Sequence, residues 1–125
     1  MKKSLIIEET HDTPKIILDK SKGVFEISGR SLPENAVKLY SPVLKWMEEY
    51  IMAPNQTTHF EFKLDYFNSA STKKIFEIIT ILEKLSSNNL PVTVIWYHTK
   101  DDELIRNRGL EIKEMVELPF EVKIY

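Results

Sequence analysis

The segment LDYFNSASTKK, residues Leu64–Lys74, joins a strand pattern to a helix pattern through a cluster of small residues. Before the cluster, apolar residues alternate with charged ones, at Phe60, Phe62, Leu64 and Tyr66. This period of two predicts a strand over His59–Tyr66 that is buried on one face. After the cluster, apolar residues recur at helical spacing and predict a helix over Ser69–Ser86. In α/β sheets, the point where a strand ends and a helix begins is a favoured place for functional groups.

The remaining chain continues this alternation of strands and helices. Further predicted strands are Leu5–Ile7 at an edge, Lys15–Asp19, Val24–Ser28, Pro91–Tyr97 and Phe120–Tyr125. Gly23 supplies the positive φ of a hairpin turn between the second and third of these. Strands that alternate with helices predict a single α/β domain over residues 1–125, with a mixed, mostly parallel sheet. Because charged residues occupy alternate strand positions, we expect the helices chiefly on one face and water on the other.

Two further helices are predicted on either side of the central segment. The first begins at Pro33-Glu34 and runs to Ile51, with a kink or a restart at Ser41-Pro42. The second covers Asp101–Glu117, is capped by Asp101 or Asp102, and turns Leu104, Met115 and Val116 towards the core. Gly109 weakens the interior of this second helix, and marks either close packing or a break.

Composition excludes several classes of protein. The net charge of −2 over 125 residues gives no general electrostatic reason to expect nucleic acid. The chain has no cysteine, so disulfides and thiol nucleophiles are excluded. The apolar run Leu5–Ile7 is too short for a signal peptide, and no stretch approaches the roughly 20 apolar residues of a membrane helix. We therefore expect a cytoplasmic protein without a membrane partner.

Catalytic motifs are absent from the sequence. Ser69, His98 and Asp65 are the residues from which a small serine hydrolase would be assembled, but no G-x-S-x-G elbow accompanies them. The acidic run Asp101-Asp102-Glu103 would bind Mg²⁺ only together with Asp65, and acids at a helix start are more often caps. The scattered glycines form no nucleotide-binding loop. The sequence predicts no catalytic residue, no metal and no cofactor.

The helix start at Ser69 is the remaining candidate site. Backbone donors and the helix dipole favour an anion there. A phosphate on this hydroxyl would add a charge of about −1.5 to −2. Capping is the simpler role, and Asn68 is suited to it as well.

Several blocks of the sequence together resemble one protein family. They are SGRSLPENAVKLYSPVLKW, YFNSASTKK and VIWYHTKDDE, and matching positions run from Thr13-Pro14 to Pro119-Phe120. In order and spacing they resemble the SiaC family of bacterial regulatory phosphoproteins. The resemblance implies a STAS-like fold, similar to the SpoIIAA-like anti-sigma-factor antagonists.

The resemblance also implies a function. Family members are non-enzymatic switches, phosphorylated by a dedicated Ser/Thr protein kinase and reset by a PP2C-type phosphatase. The unphosphorylated form binds and stimulates a diguanylate cyclase, which raises cyclic di-GMP and controls biofilm formation and aggregation. The phosphoacceptor follows the asparagine of the Tyr-x-Asn motif, which is Ser69 here. The expected partner-binding residues are Tyr66, Asn68, Ser69, Ala70, Ser71 and Lys73, where Lys73 helps neutralise the phosphate or is a solvated surface residue.

Two departures from the family pattern leave alternatives open. The family often has threonine followed by two serines, whereas this chain has Ser69, Ala70 and Ser71, so Ser71 and Thr72 stay alternative phosphoacceptors. Arg106, Asn107 and Arg108 follow a segment that is usually more acidic, which bears on the identity of the partner. An anti-sigma-factor antagonist that binds an anti-sigma kinase is the alternative function, and the small serine hydrolase is a weaker one.

Overall fold

A computed structural model describes residues 3–125 as one six-stranded sheet with three helices. The strands are β1 Leu5–Ile7, β2 Lys15–Asp19, β3 Val24–Ser31, β4 Thr58–Phe67, β5 Val92–His98 and β6 Phe120–Ile124. The helices are α1 Ala36–Tyr50, α2 Ser69–Ser87 and α3 Glu103–Met115. The predicted order of elements is confirmed. In residues 3–125, no helix is both long enough and apolar enough to span a bilayer.

The strands lie in the sheet in the order in which they occur along the chain, from β1 to β6. The β1–β2 and β2–β3 pairs are antiparallel, whereas β3, β4, β5 and β6 run parallel to one another. Gly23 has a φ of 67° in the tight turn between β2 and β3, as the hairpin prediction required. The predicted mixed, mostly parallel sheet is therefore confirmed.

The two faces of the sheet differ in chemistry. On the helix-covered face, Phe25 and Phe60 are buried and stacked, and the ring of Trp46 from α1 lies 6.0 Å from that of Phe25. On the opposite face, Lys63 forms an ion pair of 3.2 Å with Glu26. This charged face is covered by no helix of the described chain, so the prediction of one wet face is confirmed.

The first and third helices differ from the prediction in where α1 begins and in which residues of α3 are buried. Helix α1 begins at Ala36 and not at Pro33, because the Asn35 side chain caps it by accepting from the Lys38 N–H at 3.1 Å. It then continues through Pro42 as one helix, so the predicted restart does not occur. Helix α3 buries Ile105, Gly109 and Ile112. The prediction that Leu104 and Met115 face the core is wrong, since both are exposed, and Val116 is half-buried.

A bulge in β4 decides which side chain faces the core at the end of this strand. Gly29 pairs with Leu64 and Arg30 pairs with Tyr66, so Asp65 is an extra residue in β4. An extra residue resets the alternation of the strand. As a result Tyr66 points outwards, 44% exposed, and Phe67 is buried in its place. The prediction that Tyr66 continues the buried series is therefore wrong.

Gly109 is the point of closest approach between α3 and the sheet. The Trp96 indole donates a hydrogen bond of 2.9 Å to the carbonyl of Ile105 and lies under the next turn of the helix. A Cβ at Gly109 would lie 2.3 Å from Cδ1 of Trp96. Close packing, one of the two predicted roles of Gly109, is therefore the observed one.

Gly109→Ala should destabilise the fold although alanine is the better helix former. The gain in helix propensity is about 1 kcal/mol, but the new methyl group overlaps a ring that is itself packed on all sides. Forcing extra volume into a packed core costs about 1–3 kcal/mol or more. Urea denaturation followed by circular dichroism measures the difference. Asn107→Ala, an exposed position in the same helix, is the matched control, and a Gly109→Ala variant as stable as that control would contradict the packing argument.

Candidate functional site

The start of α2 is held by a cap and by backbone bonds to β3. The Asn68 side chain accepts a hydrogen bond from the Ser71 N–H at 2.9 Å, which makes Asn68 the N-cap of α2. The backbone N–H of Asn68 donates to the carbonyl of Ser31 at 3.1 Å. The predicted capping role of Asn68 is confirmed. Since α2 begins directly after β4, this cap fixes the first turn of the helix at the carboxyl edge of the sheet.

Three buried hydroxyl groups connect this turn to β3 and α1. The Ser71 hydroxyl donates to the Ser31 carbonyl at 2.9 Å and lies 2.7 Å from Oγ of Ser31, which in turn lies 2.6 Å from the Tyr40 hydroxyl. Because the Ser71 proton goes to the carbonyl, Ser31 donates to Ser71 and Tyr40 donates to Ser31. We call these three residues the hydroxyl network. Burial raises the pKa of Tyr40 above its ordinary 10.0, so its hydroxyl stays a donor at neutral pH.

The hydroxyl network corrects the role expected of Ser71. Its side chain is 0% exposed and occupied by two partners. A kinase or an effector therefore cannot reach this hydroxyl in the folded chain, and the expectation that Ser71 lies at the partner-facing surface is wrong. The sequence held a signal for this, because Ser71 precedes Ile75 and Ile78 at helical spacing and so shares their buried face.

Ser69, two residues before Ser71 in the chain, has an exposed side chain. Its hydroxyl makes no hydrogen bond to any residue in 3–125, whereas the Thr72 hydroxyl donates to the Asn68 carbonyl at 3.2 Å. Ala70 and Lys73 are exposed as well, and Lys73 follows Ser69 by one helical turn. Ser69 is thus the accessible, uncommitted hydroxyl among the three candidate phosphoacceptors.

A cleft of about 350 Å³ lies beside Ser69, which we call the Ser69 cleft. Three of the predicted site residues, Tyr66, Asn68 and Ser69, line it together. Phe67, Thr72 and Arg108 of α3 are the other residues that line it. The sequence indicated Arg108 only as part of a departure from the family's acidic segment and did not place it beside Ser69, because the two residues are 39 positions apart.

The alternative chemistries find no support in this geometry. No hydrogen bond joins Ser69 to a histidine within residues 3–125, and His98 is buried with its Nδ1 against the carbonyl of Thr99 at 2.9 Å. The Asp102 carboxylate accepts from the Ile105 N–H at 3.1 Å and caps α3. In the described chain, Asp65 and the acidic run form no group of three or more metal ligands.

The fold and the site define a class of protein: a single α/β domain with a six-stranded mixed sheet that presents an exposed hydroxyl at the start of the helix after a central strand. Residues 7–125 match the family described as SiaC family regulatory phosphoprotein. The chain belongs to the SiaC family. The resemblance seen in the sequence is therefore confirmed.

Similar proteins come from Pseudomonas aeruginosa, and two of the matches are crystal structures. The crystal structure of the diguanylate cyclase SiaD in complex with its activator SiaC contains a chain that matches with a TM-score of 0.91 and 27% identity, over 97% of this chain and 99% of that one. Apo-SiaC matches with a TM-score of 0.89 and 27% identity, over 98% and 99% of the two chains. An uncharacterized protein of strain UCBPP-PA14 is 27% identical over 97% of this chain and 96% of its own.

The two serines should respond differently to truncation. Ser71→Ala removes a donor from the hydroxyl network and leaves the Ser31 oxygen atoms buried with one partner fewer, which costs about 1–3 kcal/mol in the free energy of unfolding. Ser69→Ala removes an exposed hydroxyl without a partner, and should change the same quantity by no more than about 0.5 kcal/mol. Chemical denaturation of both variants measures the two values. Equal losses in the two variants would refute the assignment of structure to Ser71 and accessibility to Ser69.

Proposed function

We propose that this protein is a phospho-switch that binds and stimulates a diguanylate cyclase only while Ser69 is unmodified. A Ser/Thr protein kinase phosphorylates Ser69, and a PP2C-type phosphatase removes the phosphate. The observation that carries the proposal is the accessible Ser69 hydroxyl, with no hydrogen-bond partner in residues 3–125, at the start of α2. The activator SiaC, which shares this fold and forms a complex with a diguanylate cyclase, supports the choice of effector.

The position of Ser69 suits reversible modification. The first turn of α2 contains no acidic residue, so the positive end of the helix dipole is not neutralised by the chain's own carboxylates. A phosphate therefore meets no like charge from the first turn of α2, and the Asn68 cap and the hydroxyl network keep the helix start in place. Phosphorylation then changes the surface and leaves the fold intact.

The switch acts by desolvation. Tyr66, Ser69 and Ala70 form a surface that an effector approaches closely when the residue at position 69 is small. A phosphate at this position brings a dianion into the contact. Burying a dianion that the effector does not pair costs several kcal/mol, and each ~1.4 kcal/mol changes an affinity tenfold. The penalty is enough to dissociate an ordinary regulatory complex.

Phosphorylation of Ser69 should lower the affinity for the diguanylate cyclase by at least about a hundredfold. The measurement is isothermal titration calorimetry with unmodified protein and with phosphoserine incorporated at position 69. Ser69→Ala should bind like the unmodified protein. Ser69→Asp is a weaker test, because aspartate carries less charge and fewer acceptor oxygens than phosphate.

The matched control carries phosphoserine at Ser87, the other end of α2, which lies roughly 27 Å away at 1.5 Å per residue. This protein should bind the cyclase like the unmodified one. Equal affinities of the unmodified and Ser69-phosphorylated proteins would refute the switch, and so would phosphate found in cells only on Thr72.

We also propose that the chain has no catalytic activity of its own. The purified protein should not hydrolyse generic ester or phosphate substrates above a buffer control, because Ser69 lacks a base within hydrogen-bond reach in the described chain. Turnover assays with chromogenic substrates check this. Activity that disappears in both Ser69→Ala and His98→Gln would instead support the serine hydrolase.

A further inference from the structure

Arg108 lines the Ser69 cleft together with Ser69 itself. It is exposed on α3, and Ser69 and Tyr66 line the same cleft from α2 and β4. Within residues 3–125, the Arg108 guanidinium takes part in no ion pair. Glu111, three residues further along α3, is the nearest acidic side chain in sequence, yet the two form no salt bridge. The cleft therefore contains a cationic group that nothing in the described chain neutralises.

We propose that Arg108 binds the phosphate on Ser69, so that phosphorylation ties the start of α2 to α3 across the cleft. This inference rests on the proposed function in one respect, the assignment of Ser69 as the phosphoacceptor. It assigns to Arg108 the regulatory role of a phosphate-binding residue, and to the Ser69 cleft the role of the place where the phosphate is held.

The chemistry of the two groups is complementary. A guanidinium presents its N–H donors in a planar fork that fits two phosphate oxygens at once, and its charge does not titrate in the physiological range. The cleft has a volume of about 350 Å³. It therefore has room for a phosphoryl group beside the arginine side chain that lines it. No acidic residue lines the cleft to compete for the guanidinium.

Arg108 also connects the cleft with an apolar neighbour. A second cleft of about 190 Å³ lies between α2 and α3, lined by Phe76, Ile112 and Met115 together with Glu111. It shares Phe67, Thr72 and Arg108 with the Ser69 cleft. Because Arg108 lines both clefts, its binding to the phosphate also changes the lining of the apolar cleft. One modification therefore alters both the charge around Ser69 and the shape of the adjoining apolar surface.

Lys73 is the competing cation. It follows Ser69 by four residues in α2, a spacing that places both side chains on the same side of the helix. However, it does not line the Ser69 cleft, and its ammonium group lacks the planar fork. The proposal therefore requires that the loss of Arg108 raise the pKa of the phosphate more than the loss of Lys73 does.

The test measures the second pKa of the phosphate by ³¹P NMR titration of protein with phosphoserine incorporated at position 69. This pKa is ordinarily about 6, and an opposite charge nearby lowers it. We expect the pKa of the phosphate to be about half a unit lower in the otherwise native phosphoprotein than in Arg108→Gln. This difference is about a threefold change in proton affinity. Arg106→Gln is the matched control, since it removes the same charge two residues away and Arg106 does not line the cleft.

An unchanged phosphate pKa in Arg108→Gln would overturn the proposal. It would also be overturned if Arg106→Gln or Lys73→Gln raised the pKa as much as Arg108→Gln, since the effect would then be one of general charge or of the lysine. Because Arg108 is exposed and unpaired in the described chain, Arg108→Gln should fold normally, and its circular dichroism spectrum checks this. The titration needs no kinase and no effector, so its outcome is independent of whether phosphorylation weakens binding of the cyclase.

Discussion

The hydrogen bonds at the end of β3 are the constraint on which the site depends. The carbonyl of Ser31 accepts hydrogen bonds from the Asn68 N–H and from the Ser71 hydroxyl. The Ser31 side chain is hydrogen-bonded to the hydroxyl of Tyr40 in α1. One residue thereby connects β3, α1 and the start of α2. Each residue of the hydroxyl network is buried, and an unsatisfied buried hydroxyl costs free energy. The first turn of α2 therefore has one favoured position relative to the sheet.

This rigidity explains how neighbouring hydroxyl residues acquire different roles. Ser71 lies on the face of α2 that packs against the sheet, whereas Ser69 lies on the outside of the same turn. A rotation of the helix start that exposed Ser71 would break its bonds to Ser31. The structure thus keeps a structural hydroxyl and an accessible hydroxyl two residues apart, with no motion needed to present the second one.

The bulge in β4 contributes the aromatic part of the site. With Asp65 as an extra residue, the tyrosine leaves the core and lines the Ser69 cleft, and Phe67 packs edge-on against Trp96 at 5.6 Å in its place. The same tryptophan supports α3 through Gly109 and through the carbonyl of Ile105. Core packing around Trp96 consequently helps to position α3, the helix that carries Arg108, on the sheet.

The sequence by itself determined the order of the elements and the cap at the start of α2, where the candidate site lies. Local signals sufficed for these, because alternation, helical spacing and capping residues such as Asn68 act within a few positions of the chain. The burial of Ser71 was also predictable from the sequence, because Ser71 precedes the apolar residue Ile75 by about one helical turn. The tertiary structure alone decided the outward turn of Tyr66, since a bulge depends on pairing with another strand. It also decided that Arg108 and Ser69, 39 residues apart, line one cleft, because the packing of α3 against β5 and β6 places Arg108 there.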